Sequence, residues 1–385
     1  MQLRYFDNAA SSWPKPTTVV EAMNEVVVKF AANPGRGSHQ MAVQASRVLF
    51  QTRIELAKLF GIKDPNHISF CLNTTEALNL AIKGLLKENE HVICTSVEHN
   101  SVRRPLEYLK KKLNLNITYL KTNVLGQINL KDVERSIQSN TKLIICNHSS
   151  NLLGSILPIE QINKIAKEKG VITLVDGAQT AGLLPINVEE MGIDILAFPG
   201  HKGLLGPQGT GGIYIHPDIE VEPLIHGGTG SQSENIEQPI IRPDRYESGT
   251  QNTPGIAGLK EGVSYVLHES VEKIHSKEWK LTQRLMEGLL KIQTVKILGP
   301  KLGDNKTGIT SFNIEGMEAS SVAFSLDRNY NIAVRSGFHC SPLAHETVGT
   351  LELGAVRASV GYFTTVEEID YLLEAVKEIV QKNKR

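Results

Sequence analysis

The chain has no apolar run approaching the roughly 20 residues that a membrane-crossing helix needs. It also has no excess of either charge, with 41 lysines and arginines against 41 aspartates and glutamates in 385 residues. The first lack argues against a membrane protein. The second argues against nucleic acid as a partner, because a polyphosphate strand selects for a basic face. Cysteine is scarce, and its four copies, Cys71, Cys94, Cys146 and Cys340, show neither CxxC nor paired metal-ligand spacing. A disulfide framework or a structural zinc site is therefore not expected, and any reactive thiol would act singly. The start, "MQLRYFDNAA", carries an acidic residue within eight positions and no apolar centre, so a cytoplasmic location is expected. Repeats and low-complexity linkers are absent from the sequence too.

What is present is an ordinary globular composition, 41% hydrophobic and 21% charged, in a length that suits two or three domains. Between about residues 65 and 215, short apolar runs alternate with helix-like segments, the pattern of parallel βαβ units. "HVICTS", "KLIICNH", "VITLVDG" and "DILAFPG" are the runs. Between the second and third, Ile159, Ile162, Ile165 and Ala166 fall at helical spacing and Gly170 suits the cap, which predicts a crossover helix. Beyond Gly249 the character changes: residues 257–292 read as one long helix, followed by strand-like pieces such as "GITSFNIEG". At the end, Ile369, Leu372, Leu373, Val376, Ile379 and Val380 share one helical face. The expected architecture is α/β: a large domain over 15–260 with a mostly parallel central sheet flanked by helices, and a smaller α+β domain built from 1–14 and 261–385.

Ligands of parallel sheets bind outside the carboxyl ends of the strands, and each of the four runs ends in reactive residues. They lead to Glu98 and His99, to His148 and Asn151, to Asp176 and Gln179, and to His201 and Lys202. Singly, such residues are commonly turn or cap residues. Four adjacent strands would place an imidazole, an amide, a carboxylate and a lysine on one rim, which is the inventory of a binding site.

The cofactor can be narrowed by spacing. A nucleoside triphosphate would require GxxxxGK[ST], and "GPKLGDNKTG" at 299–308 separates its glycine from its lysine. A dinucleotide would require GxGxxG, which "GTGG" and "GGTGS" do not complete. Pyridoxal 5'-phosphate needs a lysine for a Schiff base, a carboxylate for its ring nitrogen and small residues with free N–H groups for its phosphate. Lys202, Asp176 and the stretch "NTTEALNLAIKGLL" supply these. There Thr74 and Thr75 open an amphipathic helix, either as phosphate ligands or as a simple N-cap.

With these residues in view, the sequence resembles the class V aminotransferase group of fold type I pyridoxal phosphate enzymes, and within it the cysteine desulfurase and selenocysteine lyase family. The motifs that carry the resemblance occur in the family's order over nearly the whole chain: "YFDNAA" (5–10), "GRGSH" (35–39), "NTTEALN" (73–79), "EHNS" (98–101), "VDGAQ" (175–179), "GHKGLLGPQGTG" (200–211), "ESGTQNTP" (247–254) and "RSGFHC" (335–340). The resemblance implies that Lys202 forms the Schiff base, Asp176 keeps the ring nitrogen protonated, and His99 stacks on the ring and donates a proton. It implies that Gln179 and Asn151 reach the phenolic oxygen, with Asn151 also near the substrate. Thr74, Thr75 and His201 would hold the phosphate. Thr250 would be contributed across the interface of a homodimer with shared active sites. Arg357 would pair with the substrate carboxylate, as a planar guanidinium does best, and Arg36 and Arg335 are read as further substrate-binding positions. Two residues depart from the family's common pattern: Pro199 stands where serine precedes "GHK", and Phe338 stands where histidine precedes the loop's second histidine.

Cys71, Cys94 and Cys146 lie in apolar runs and read as inert small hydrophobes. Cys340 stands instead in a polar loop beside Arg335, His339 and His345, whose positive charge is expected to favour its thiolate. The family places its sulfur-accepting cysteine here. The expected reaction converts L-cysteine to L-alanine and leaves the sulfur on Cys340 as a persulfide for an acceptor protein. The alternatives are a selenocysteine lyase, another class V aminotransferase or β-lyase, or a sulfur carrier without turnover.

Overall fold

The computed structural model describes residues 3–35 and 37–383. A seven-stranded sheet forms its centre. From one edge its strands run Ile68–Cys71, Gly211–Ile215, Ile195–Pro199, Ile172–Asp176, Thr141–Asn147, His91–Thr95 and Asn116–Leu120. The last five are mutually parallel, and Gly211–Ile215 pairs antiparallel with both of its neighbours. The four apolar runs are thus adjacent parallel strands. Their residues alternate between two cores: Ile144, Cys146, Val175 and Leu196 face one, and Leu143, Ile145, Leu174 and Ile195 face the other. Both faces must therefore be covered by helices, as for any buried parallel sheet.

The crossover helix is Ile159–Glu168, which buries Ile159, Ile162 and Ala166 and ends before Gly170, whose φ of +68° is the left-handed value that favours glycine. The expected long helix is divided into Thr253–Glu269 and Val271–Leu290. Ser270 breaks it with φ +66°, and its side chain caps the second helix by accepting from the Lys273 N–H at 3.3 Å. Nothing in the hydrophobic spacing announces this break, because the apolar face continues through it.

A second sheet of four antiparallel strands has the order Arg335–Gly337, Ala355–Ser359, Ile309–Ile314, Val295–Leu298. Its core joins Phe6 to Leu285, Phe312, Val356 and the apolar face of the terminal helix Val366–Asn383. The start of the chain returns to this sheet: Arg4–Tyr5 pairs parallel with Ile332–Ala333, and Asp7 bridges Ser359. Among the described residues no helix is long and apolar enough to cross a membrane.

One buried ion pair ties the elements around the large sheet. Arg53, on helix Gln40–Phe60, donates to Glu247 and to the Ile68 carbonyl, while Glu247 also accepts from the Phe70 N–H at 2.6 Å. Glu247→Ala would strand a buried guanidinium and an edge-strand N–H. We expect a loss of about 3–5 kcal/mol in urea unfolding, with a smaller loss in the Arg53→Met/Glu247→Leu double variant, where no charge is left unpaired.

Candidate active site

The rim is set by strand register. Asn147 lies opposite Asp176, and Asp176 opposite Ala197, so the ends of two strands meet at one level while the third, Ile195–Pro199, runs on beyond it. The Asp176 carboxylate accepts from the Ala178 N–H at 2.9 Å. Burial pushes its pKa up, opposed by that hydrogen bond and by the charge of Lys202. Above it opens a cleft with about 820 Å³ of empty space, its mouth included, lined by Thr74, Thr75, His99, Asn151, Asp176, Gln179, His201, Lys202, Arg335 and Arg357.

The glycines around Lys202 have a steric cause. A Cβ on Gly200 would come within 2.1 Å of Thr210 Oγ1, and one on Gly203 within 2.5 Å of the Ala181 carbonyl. The turn is fastened by Ser12, whose hydroxyl donates to the Lys202 carbonyl at 2.8 Å. Burial pushes the Lys202 ammonium down to about 8, against the opposing pull of Asp176. About a tenth of the lysine is therefore an uncharged amine at pH 7, and about half at pH 8, the form that attacks a carbonyl carbon.

Helix Thr74–Leu85 is capped by Asn73, whose side chain accepts from the Glu76 N–H at 3.0 Å. Thr74 and Thr75 are therefore not the cap. Thr74 Oγ1 is buried without a partner, as is His201 Nδ1, and Thr75 Oγ1 lies 2.8 Å from Ser101 Oγ. Two orphaned polar atoms and two hydroxyls at a helix N-terminus fit a phosphate group. With an amine of lowered pKa and a buried carboxylate completing the cleft, the residues fit pyridoxal 5'-phosphate.

His99 caps helix Asn100–Leu113, its Nδ1 accepting from the Ser101 N–H at 3.1 Å. Burial, then the charge of Lys202, pushes its pKa down to about 4, so it is neutral with its proton on Nε2. Gln179 donates to the Ala9 carbonyl at 3.0 Å, while Ala9 N–H donates to Ser359 Oγ at 2.9 Å. The amino-terminal segment thereby forms one wall of the cleft, a contribution hydropathy could not show.

Asn151 has a use the sequence did not reveal. Its amide donates to the His339 carbonyl at 2.6 Å and accepts from Ser341 Oγ at 2.5 Å, clamping the residues on either side of Cys340. His339 and Cys340 have φ of +48° and +58°, a strained conformation of the kind found at functional loops. Arg357 is only 1% exposed; it donates to the Asn151 carbonyl at 2.8 Å and to Asp7 at 2.9 Å, leaving Nε without a partner. Arg335 lies directly opposite it across the strand pair. Two cationic side chains opposite each other repel, and both line the cleft, so an anion there would relieve them.

One expectation is corrected. His339 and His345 do not supply positive charge to Cys340: burial pushes His339 down to about 3 and His345 down to about 4. Two placements also differ from a single shared pocket. Thr250 is exposed and lines a separate cavity with Ser46 and Arg53, and Arg36 lies outside the described residues. Sequence reasoning missed Ser101, which joins Thr75 to His99, and Asp7, the partner of Arg357, although both stand inside the quoted motifs "EHNS" and "YFDNAA".

Comparison with known proteins follows the same line. The profile of the aminotransferase class-V family matches residues 4–372, and the chain belongs to that family. Within it, a Pyrococcus abyssi protein described as a probable cysteine desulfurase is 36% identical over 98% of this chain and 94% of its own. A Dictyoglomus turgidum protein named cysteine desulfurase IscS is 31% identical over 98% and 94%. The apo structure of the cysteine desulfurase from Thermococcus onnurineus NA1 superposes with a TM-score of 0.93 at 36% identity, covering 99% of this chain and 95% of that one. This chain is a member of the cysteine desulfurase family.

Proposed function

We propose that this protein is a pyridoxal 5'-phosphate-dependent cysteine desulfurase, which releases L-alanine from L-cysteine and holds the sulfur on Cys340. The observation that carries the reading is the convergence on one cleft of Lys202, Asp176 and His339, whose clamped loop carries Cys340 as the next residue. When bound, pyridoxal 5'-phosphate supplies an electron sink that acidifies the α-carbon of an amino acid and activates its β-carbon. Lys202 would hold the cofactor and, once freed, move a proton from the substrate α-carbon. Asp176 would keep the ring nitrogen protonated, and neutral His99 would stack on the ring and give its Nε2 proton to the carbon that the sulfur leaves. Thr74, Thr75 and His201 would bind the phosphate, while Gln179 and Asn151 would lie toward the phenolic oxygen. Arg357 and Arg335 would orient the substrate carboxylate.

The Cys340 thiolate would attack the substrate sulfur, forming an S–S bond as the Cβ–S bond breaks with its electron pair left on carbon. That carbon takes a proton, so that L-cysteine and one enzyme thiol become alanine and one enzyme persulfide. An acceptor, a protein in the sequence-based reading, would then take the outer sulfur.

The same reading includes a homodimer with Thr250 crossing to the partner's phosphate site. Its support is that Thr250 lies outside this chain's own cleft, beside helix Gln40–Phe60, where Met41, Val43 and Phe50 are exposed. It divides the chain into residues 15–260 and a smaller body of 1–14 with 261–385, supported by the burial of Phe6 in the second core. A cytoplasmic location belongs to it as well, and four unpaired cysteines suit a reducing compartment.

The test is alanine release by the cofactor-loaded protein given L-cysteine and, separately, L-selenocysteine. Alanine from L-cysteine, with the sulfur recovered as persulfide or sulfide, is the expected result. Alanine from L-selenocysteine only would replace this reading with that of a selenium-releasing lyase.

A further inference from the structure

The loop of Cys340 borders two openings. His339 lines the cofactor cleft, and Cys340 itself lines a groove between helices Thr74–Leu85 and Asn100–Leu113, which has about 800 Å³ of empty space, open mouth included. Thr75, Asn79 and Lys83 line one wall at successive i, i+4 positions, and Arg104 and Tyr108 line the other at the same spacing. The Cys340 carbonyl accepts from the Asn100 N–H at 2.8 Å, fixing the loop to the first turn of the second helix.

The charge of this groove is one-sided. Lys83 and Arg104 are both exposed, and neither has a carboxylate within salt-bridge distance among the described residues. Lys83 Nζ lies 5.8 Å from the Tyr108 ring centroid, which holds the ammonium against the groove wall. No aspartate or glutamate is among the described residues that line it. Both helices also begin at the Cys340 end, so their positive N-terminal dipoles point the same way.

We propose that this groove is the acceptor site for the sulfur held on Cys340, and that it takes a thiol bearing a carboxylate close to its sulfur. The proposal rests on the reading of Cys340 as the persulfide carrier. Lys83 and Arg104 bind the carboxylate, and the acceptor thiolate attacks the outer sulfur of Cys340. A new S–S bond forms on the acceptor as the old one breaks, and its electron pair returns to Cys340 as thiolate. No oxidant or reductant is consumed.

Two measurements on the holoenzyme test it. In the first, alkylation of Cys340 by anionic iodoacetate is compared with alkylation by neutral iodoacetamide, with Cys340→Ser subtracted as background. The iodoacetate-to-iodoacetamide rate ratio is expected to fall about tenfold in Lys83→Gln/Arg104→Gln, and to fall in the native protein as salt is raised. In the second, protein given one equivalent of L-cysteine is mixed with 3-mercaptopropionate or 2-mercaptoethanol, and the loss of persulfide is timed. The anion's advantage is expected to shrink by a similar factor in the double variant, while the single-turnover yield of alanine is unchanged. Comparing ratios between proteins cancels the different acidities of the two thiols. Short cysteine peptides flanked by glutamate or by lysine form a further arm: a glutamate preference assigns the carboxylate to a peptide-borne thiol, and a preference confined to 3-mercaptopropionate assigns it to a small one.

Equal ratios in native protein and double variant, in either measurement, would overturn the proposal. So would loss of the alanine burst in the variant, which would put these cations in the first half-reaction. Absence of the burst in the native protein would refute the desulfurase reading instead, and the alkylation ratio would still decide whether the groove draws anions to Cys340.

Discussion

Lys202→Ala is expected to be colourless after incubation with pyridoxal 5'-phosphate and to release alanine from L-cysteine at least ~10⁴-fold more slowly than the native protein. The size of the effect follows from two roles falling on one amine, which holds the cofactor and moves the α-proton. Among the described residues lining the cleft, Lys202 is the one primary amine. Its depressed pKa of about 8 gives the effect a pH signature. Only the uncharged amine attacks a carbonyl carbon, and the uncharged fraction grows as pH rises toward 8 and saturates above it. The rate at which apoprotein becomes yellow is expected to climb through that range and then level. The groups that set this pKa are Asp176 and Asp7, which raise it, and Arg357 and Arg335, which lower it, beneath a larger effect of burial. Turnover surviving in Lys202→Ala would sink the Schiff-base assignment, whatever the colour of the protein.

The parts of the site that were legible in the sequence are those fixed by topology. Parallel strands present their carboxyl ends to one rim, so Asp176, His201, Lys202 and His99 could be grouped from four apolar runs alone, and strand register places them together. What stayed hidden depends on which of several equivalent polar groups takes a partner. Three consecutive residues, Asn73, Thr74 and Thr75, can each cap a helix; Asn73 does, and this leaves the Thr74 hydroxyl free. Asn151 could be placed on the rim, but its hold on both neighbours of Cys340 spans nearly 190 positions of chain and has no local signal. The charge state of His339 and His345 also could not be read. Positive charge was expected from their presence in a polar loop, and burial against the antiparallel sheet and helix Pro342–Thr347 removes it. The break at Ser270 is hidden in the same way: a positive φ and a side-chain cap interrupt an apolar pattern that runs on unbroken.

That correction sharpens what Cys340→Ser should do. With both neighbouring imidazoles neutral, the positive charge near the loop comes from Arg335 in the cofactor cleft and Arg104 in the groove, the two openings that the loop borders. Serine is close to cysteine in size and leaves the clamp intact, since the hydrogen bonds of Asn151 go to the His339 carbonyl and to Ser341 rather than to Cys340 itself. The variant is therefore expected to fold, bind pyridoxal 5'-phosphate and turn yellow. A serine hydroxyl offers no accessible anion and forms no persulfide, so sulfur release from L-cysteine is expected to fall by at least ~10³-fold. Selenium release from L-selenocysteine is expected to fall far less, because the weaker C–Se bond breaks more readily with its electron pair left on carbon, and selenium then departs as the element without capture by a thiolate. Alanine formation and cofactor absorbance measured on the same sample separate loss of chemistry from loss of cofactor. A yellow Cys340→Ser protein that desulfurates L-cysteine at the native rate would show that sulfur leaves without passing through Cys340, and the persulfide step would have to be abandoned.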